Sequence, residues 1–216
     1  ERSSRCPGVP GPEDITFSSQ GFGPARNIVG FTGGDLTCRS DFYAHCAQLI
    51  KENTSLWVLI ETNGYGLTPE NLDLLKESNV DSFWLDIKAE DKESHRWLTG
   101  CDNQRILQLP EEMLKRDFVV EVLSLYIPEV VEAEELGRIA GHLAAVDESI
   151  PFTILAFFPE YQMKEFRTPT VEEMVRAYEN AKNAGLTHVR LGNLGVFAKA
   201  VEDYRYMEAR VDGDAY

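Results

Sequence analysis

Cysteine is scarce in this chain: Cys6, Cys38, Cys46 and Cys101 are the only four, and no two of them form a C-x-x-C pair. Four scattered thiols exclude a disulfide framework in a chain of 216 residues and read as reduced cysteines. Basic residues are also outnumbered, 21 against 36 acidic ones, for a formal net charge of -15. Such a field repels DNA or RNA, and no local basic patch overcomes it, so nucleic acid is not expected as a partner. Long apolar runs are missing as well. Nothing approaches the roughly 20 residues of a membrane span, and Glu1-Arg2-Ser3-Ser4-Arg5 is not followed by the apolar core of a signal peptide. The expectation is a cytoplasmic protein with no membrane partner.

A doubly wound dinucleotide-binding domain needs G-x-G-x-x-G between its first strand and helix, and that string is absent too. Gly21-Phe22-Gly23 is only a two-glycine fragment in a proline-rich stretch.

What is present is a regular alternation. After a lead-in, residues 1–26, that is dense in Pro7, Pro10, Pro12 and Pro24 and expected to be irregular, short apolar runs follow one another. NIVGF, LWVLIE, SFWLDI, VVEVLSLYI, FTILAFF and the stretch Thr187 to Leu191 are β-branched or aromatic and too apolar for a water-facing side. Helical stretches lie between them, as parallel strands require. Ser40 to Glu52 places Phe42, Cys46, Leu49 and Ile50 on one face, with Ser40 as N-cap; Thr68-Pro69 opens another helix. Glu132 to Val146 aligns Leu136, Ile139, Ala140 and Leu143, and Thr170 to Ala184 aligns Met174, Val175, Tyr178 and Ala181 before Gly185. The pattern defines an α/β fold, a partial (β/α)6 TIM-type barrel with its core over 27–193 and a C-terminal extension, 194–216, that could link to a further domain.

Three successive strand ends carry polar strings, and loops after barrel strands are where sites collect. FTGGDLT supplies Gly33 and Gly34, which let a ligand approach the backbone, and Asp35, a carboxylate suited to an ammonium group. ETNG supplies Glu61, Thr62 and Asn63, which suit sugar hydroxyls or an amino-acid backbone; the plain alternative is an Asx turn closed by Gly64. In LDIKA, Asp86 and Lys88 are two residues apart and point to the same side, as an ion pair would.

Taken in order, FTGGDLT, ETNG, LDIKA with a downstream HRWLTG, Ile127-Pro128 and FFPEYQM resemble the core of the radical S-adenosylmethionine (SAM) superfamily, most of all the pyruvate formate-lyase activating-enzyme branch. The resemblance covers about Ile28 to Asn193. It implies SAM held against a [4Fe-4S] cluster, with Gly33, Gly34 and Asp35 receiving the methionine ammonium. It also implies Glu61, Thr62, Asn63, Asp86 and Lys88 near the ribose and the methionine carboxylate, and Tyr161 beside the adenine. A protein or peptide substrate and an electron donor follow by the same analogy. The wording of the strings also resembles the methanogenesis marker 10 group, cobalamin-dependent radical SAM enzymes that methylate an arginine α-carbon in methyl-coenzyme M reductase.

Departures from the family pattern are specific. GGDL stands where GGEP is usual, Glu61 stands for the Asp of DTNG, and Leu123 occupies a position where some relatives carry arginine. No C-x-x-x-C-x-x-C is present, so three thiolates for a cluster are not supplied by that motif. Cys6 could be the last cysteine of such a motif, but Pro7-Gly8 follows it and its separation from Gly33 is short. The first strand and cluster loop are therefore expected upstream of Glu1, and the chain alone is expected not to cleave SAM. Two further readings stand beside this one: a barrel that has lost its chemistry and serves as a binding scaffold, and an ordinary barrel enzyme using Lys88 or Asp86 as a base.

Overall fold

The computed structural model describes residues 15–18, 21–24, 28–35 and 39–216, with side chains from residue 28 onward. Contacts group it into two compact units, the described parts of Glu1–Leu85 with Glu111–Val120, and Asp86–Pro110 with Glu121–Tyr216. Within the stretch expected to be irregular, β1 (Ile15–Ser18) and β2 (Gly21–Pro24) pair as an antiparallel hairpin. Pro24 is tolerated there because a two-stranded ladder leaves half of its N–H groups facing outward.

The remaining strands are β3 (Ile28–Phe31), β4 (Trp57–Thr62), β5 (Ser82–Asp86), β6 (Val119–Tyr126), β7 (Phe152–Ala156) and β8 (Val189–Gly192). They follow one another in the sheet in chain order and in parallel, with β3 and β8 as end strands, so the sheet is open. All six lie where the apolar runs predict. Their faces differ from expectation. In the first unit, Val58, Ile60, Phe83 and Leu85 are buried, but the opposite face exposes Ile28 (52 %), Trp57 (40 %) and Trp84 (39 %). The registers Ile28 with Trp57 and Glu61 with Trp84 put these three side chains on one side of the sheet. Apolarity on both sides therefore does not mean cover on both sides among the described residues.

Helix α1 (Ser40–Asn53) forms where expected but buries another face: Ala44 and Ala47 pack inward, while Phe42 and Leu49 are exposed. Alanine allows the closest approach of a helix backbone, and Phe42 instead meets Tyr43 edge-on at 5.6 Å. Ser40 is not the N-cap. Arg39 holds that position without a side-chain cap bond, and the Ser40 hydroxyl donates to Asn71 Oδ1 at 2.9 Å. Helix α2 (Pro69–Glu77) starts as Thr68-Pro69 predicts, with the Thr68 hydroxyl accepting from the Asn71 N–H.

The second unit contains α3 (Lys92–Thr99) and most of α4 (Gln104–Leu114), then α5 (Ala133–Val146), α6 (Val171–Asn183), α7 (Leu194–Phe197) and α8 (Val201–Glu208). The predicted faces of α5 and α6 are the buried ones. Gly137 lets the two helices meet, since a Cβ there would sit 3.3 Å from the Asn180 Cβ. Residues after 193 pack back on this unit: Met207 and Ala215 are fully buried, and the Leu191 N–H donates to the Ala215 carbonyl at 2.7 Å. Among the described residues no helix is long and apolar enough to cross a membrane.

Helix α6 carries a pH-sensitive start. Thr170 and Glu173 form a capping box, and Arg167 grips the Glu173 carboxylate at 2.6 and 2.8 Å. The Arg167 hydrogen bonds hold the Glu173 carboxyl below its usual range. A depressed folded-state pKa stabilises above the unfolded value of about 4.5, and that contribution is lost as pH falls through the folded one. Thermal unfolding between pH 7 and 3 should therefore show Glu173→Gln losing less stability than the parent over the acid end, by about 1 kcal/mol.

Candidate functional site

The first cluster grows out of the turn after β3. Gly33 (φ 74°) and Gly34 (φ 64°) adopt the left-handed conformation that disfavours other residues. A Cβ on either would meet nothing within 4 Å among the described residues, which leave space above the turn. The turn delivers Asp35 to the end of β4, where the Thr62 hydroxyl donates to Oδ1 at 3.0 Å and the Asn63 N–H donates to Oδ2 at 2.7 Å. Thr62 is 3 % exposed and its oxygen also accepts from the Gly64 N–H at 2.9 Å. A second tie joins the same two strand ends, the Thr32 hydroxyl donating to Glu61 Oε2. Gly33, Gly34, Asp35, Glu61, Thr62 and Asn63 are thus assembled within the first unit.

Asn63 also serves its own turn. Its Oδ1 accepts from the Tyr65 N–H at 2.9 Å, with Gly64 at φ 78°, which is the Asx turn weighed beside the binding role. Thr32 was not singled out from the sequence. The available signal was a hydroxyl next to a glycine pair at a strand end.

The second unit holds Asp86, Lys88 and Tyr161. Asp86 ends β5, and its Oδ2 accepts from the Lys88 ammonium, the ion pair expected from their spacing. Asp86 Oδ1 is buried and has no hydrogen-bond partner among the described residues. A buried carboxylate oxygen left unpaired costs about 1 to 3 kcal/mol, so this position calls for a donor that the described residues do not supply. A ribose hydroxyl fits it, and the adjacent ammonium fits a carboxylate. Tyr161 opens a one-turn 3-10 helix, Tyr161–Met163, at φ 51° and is 82 % exposed. The same loop places Phe166 6.1 Å from Trp97, so FFPEYQM and HRWLTG belong to neighbouring pieces of structure.

The described residues suit SAM, and none of them forms a ligand set for the iron-sulfur cluster. Open space over a glycine pair, an anchored carboxylate, and a buried acceptor beside a lysine match an ammonium, hydroxyls and a carboxylate. Cys46 and Cys101 are free thiols, whereas Cys6 and Cys38 lie outside the described residues. Among the described residues no group of three His, Cys, Asp or Glu side chains could hold a metal ion, and the 216 residues contain no C-x-x-x-C-x-x-C.

An open α/β sheet with polar groups on successive strand ends is the architecture of a radical SAM core, and the radical SAM superfamily profile matches residues 20–140. This chain belongs to that superfamily, whose members are enzymes. A protein of Methanocaldococcus jannaschii provisionally described as a glycyl-radical enzyme activating enzyme is 29 % identical over 153 residues, 69 % of this chain and 57 % of that protein. The chain thus spans somewhat over half the length of that relative. A crystal structure of a domain of pyruvate-formate lyase-activating enzyme from Bacteroides vulgatus superposes with a TM-score of 0.65 at 18 % identity, covering 76 % of this chain and 98 % of the other. Streptococcus suis SuiB bound to S-adenosylmethionine gives 0.56 at 15 % identity, over 72 % of this chain and 36 % of SuiB. At such identities the superpositions establish the fold, an open partial barrel of the radical SAM type.

Proposed function

We propose that this chain binds SAM along the C-terminal ends of β3, β4 and β5 and serves radical chemistry on a protein or peptide substrate. The observation that carries the reading is the unpaired, buried Asp86 Oδ1 beside the Lys88 ammonium. Asp35 meets the methionine ammonium over the open glycine turn. Glu61, Thr62 and Asp86 face the ribose, Lys88 the methionine carboxylate, and Tyr161 covers the adenine. When bound and reduced by an external one-electron donor, SAM supplies a 5'-deoxyadenosyl radical, while the chain's residues bind and orient it.

The M. jannaschii relative's description supports hydrogen abstraction of the activating-enzyme kind. SuiB, of the same fold, has been crystallised with a precursor peptide, which supports a peptide or protein substrate. Cobalamin-dependent methyl transfer to arginine rests on the wording of the strings alone.

Iron and sulfide reconstitution of the full-length protein, followed by reduction with SAM present, should yield 5'-deoxyadenosine. An intact cluster with no such product overturns the proposal and leaves the scaffold reading. Methylated product that requires added cobalamin selects the methyltransferase reading over the activating-enzyme one.

A further inference from the structure

HRWLTG and the residues after it have no task in the site just described, yet they are built around it. The segment following β5 keeps the alternation of the strand: Ile87 and Ala89 are fully buried, while Asp86 and Lys88, which alternate with them, are 28 and 29 % exposed. Its backbone is held group by group. The Ile87 N–H donates to the Leu123 carbonyl at 2.9 Å, and the Ser124 hydroxyl donates to the Ile87 carbonyl at 2.6 Å. Asn103 donates its amide to the carbonyls of Ala89 at 3.2 Å and Glu90 at 2.6 Å. One oxygen of Glu135, on α5, accepts from the N–H groups of Glu90 and Asp91, both at 2.6 Å.

Both side chains are almost wholly buried, Asn103 at 4 % and Glu135 at 5 % exposed. Burying a carboxylate costs several kcal/mol unless it is fully hydrogen-bonded, so such a group persists where the contacts repay it. Here the second Glu135 oxygen pairs with Arg138, which also reaches Glu90 at 3.3 Å. HRWLTG explains how Asn103 arrives. The ring of His95, 1 % exposed, lies 3.1 Å from the Cys101 carbonyl; Gly100 ends α3 at φ 77°; and the Cys101 N–H donates to the Thr99 hydroxyl at 3.1 Å. That turn folds the chain back and puts Asn103 against the loop.

We infer that Glu135 and Asn103 are positioning residues that clamp the Ala89–Asp91 backbone from two sides and so fix the placement of Asp86 and Lys88 toward SAM. The inference rests on the reading of Asp86 and Lys88 as SAM contacts. Neither residue touches the ligand; each acts through the loop. Glu135→Gln puts an amide donor against Arg138, and Asn103→Ala leaves two carbonyls without their donor.

The test is SAM affinity by calorimetry in Glu135→Gln, Asn103→Ala, Lys88→Ala and the Glu135→Gln/Lys88→Ala double variant, with hydrogen exchange resolved to Glu90 and Asp91. Loop variants should bind SAM roughly tenfold more weakly, as losses in a supporting shell do. Exchange at Glu90 and Asp91 should quicken while β7 and α6 keep their protection. The double variant should lose less than the sum of its parts, since both changes act on one contact. A lowered melting temperature with unchanged affinity in both Glu135→Gln and Asn103→Ala overturns the inference and leaves a purely structural clamp. Unchanged affinity in Lys88→Ala instead removes the SAM reading of this loop, and the inference with it.

Discussion

Asp35→Ala is expected to weaken SAM binding roughly 30- to 150-fold, the equivalent of about 2 to 3 kcal/mol for a hydrogen bond to a charged group. The size follows from how the carboxylate is held. Thr62 and Asn63 together bind both of its oxygens, so it cannot turn away. A pre-oriented charge contributes more to binding than a mobile one because its ordering is complete before the ligand arrives. Asp35→Asn keeps an acceptor without the charge and should fall between parent and alanine variant. Asp35→Glu restores the residue usual in GGEP, but its extra methylene breaks the contact with the Asn63 N–H. Equilibrium dialysis with labelled SAM measures the series; an alanine variant that stays folded and binds like the parent would refute the assignment.

Phe152→Ala should destabilise the second unit by about 3 to 5 kcal/mol, a large share of the roughly 5 to 15 kcal/mol that holds a domain together. Phe152 is fully buried in the middle strand β7, paired with Val122 on one side and Val189 on the other. Both neighbours are strand residues fixed by ladder hydrogen bonds, so the void left by the ring closes little. Urea unfolding followed by far-ultraviolet circular dichroism gives the shift. A loss below about 1 kcal/mol is the size expected for exposed positions and would contradict the placement of β7 in the core.

Much of the fold was legible because the strands announce themselves by composition. VVEVLSLYI and FTILAFF have no helical period, and β6 and β7 lie on them. Capping chemistry was readable at Thr68, where a side-chain oxygen meets a helix N–H as expected, but not at Ser40, whose hydroxyl bonds Asn71 instead. Faces were harder. On α1 the large apolar residues suggested one side and the two alanines determined the other, because a helix settles on the side where its backbone comes closest. Helix α3 has a single buried residue, His95, and so no apolar stripe to reveal it. In the site, Asp86 with Lys88 followed from strand period, whereas Asp35 with Thr62 joins two strings 27 residues apart and required the fold. Glu135 left a faint trace: it lies four residues before Ile139 and eight before Leu143, a carboxylate in an apolar stripe.

The exposure of Trp57 and Trp84 on the first unit's sheet has an optical consequence. The chain has three tryptophans, and Trp57, Trp84 and Trp97 are 40, 39 and 60 % exposed in the folded state. Their indoles already meet water, so unfolding changes their surroundings little and intrinsic emission reports poorly on denaturation. The same light becomes a sensitive reporter of occupancy: any chain or substrate that lies across β4 and β5 dries two of the three fluorophores at once.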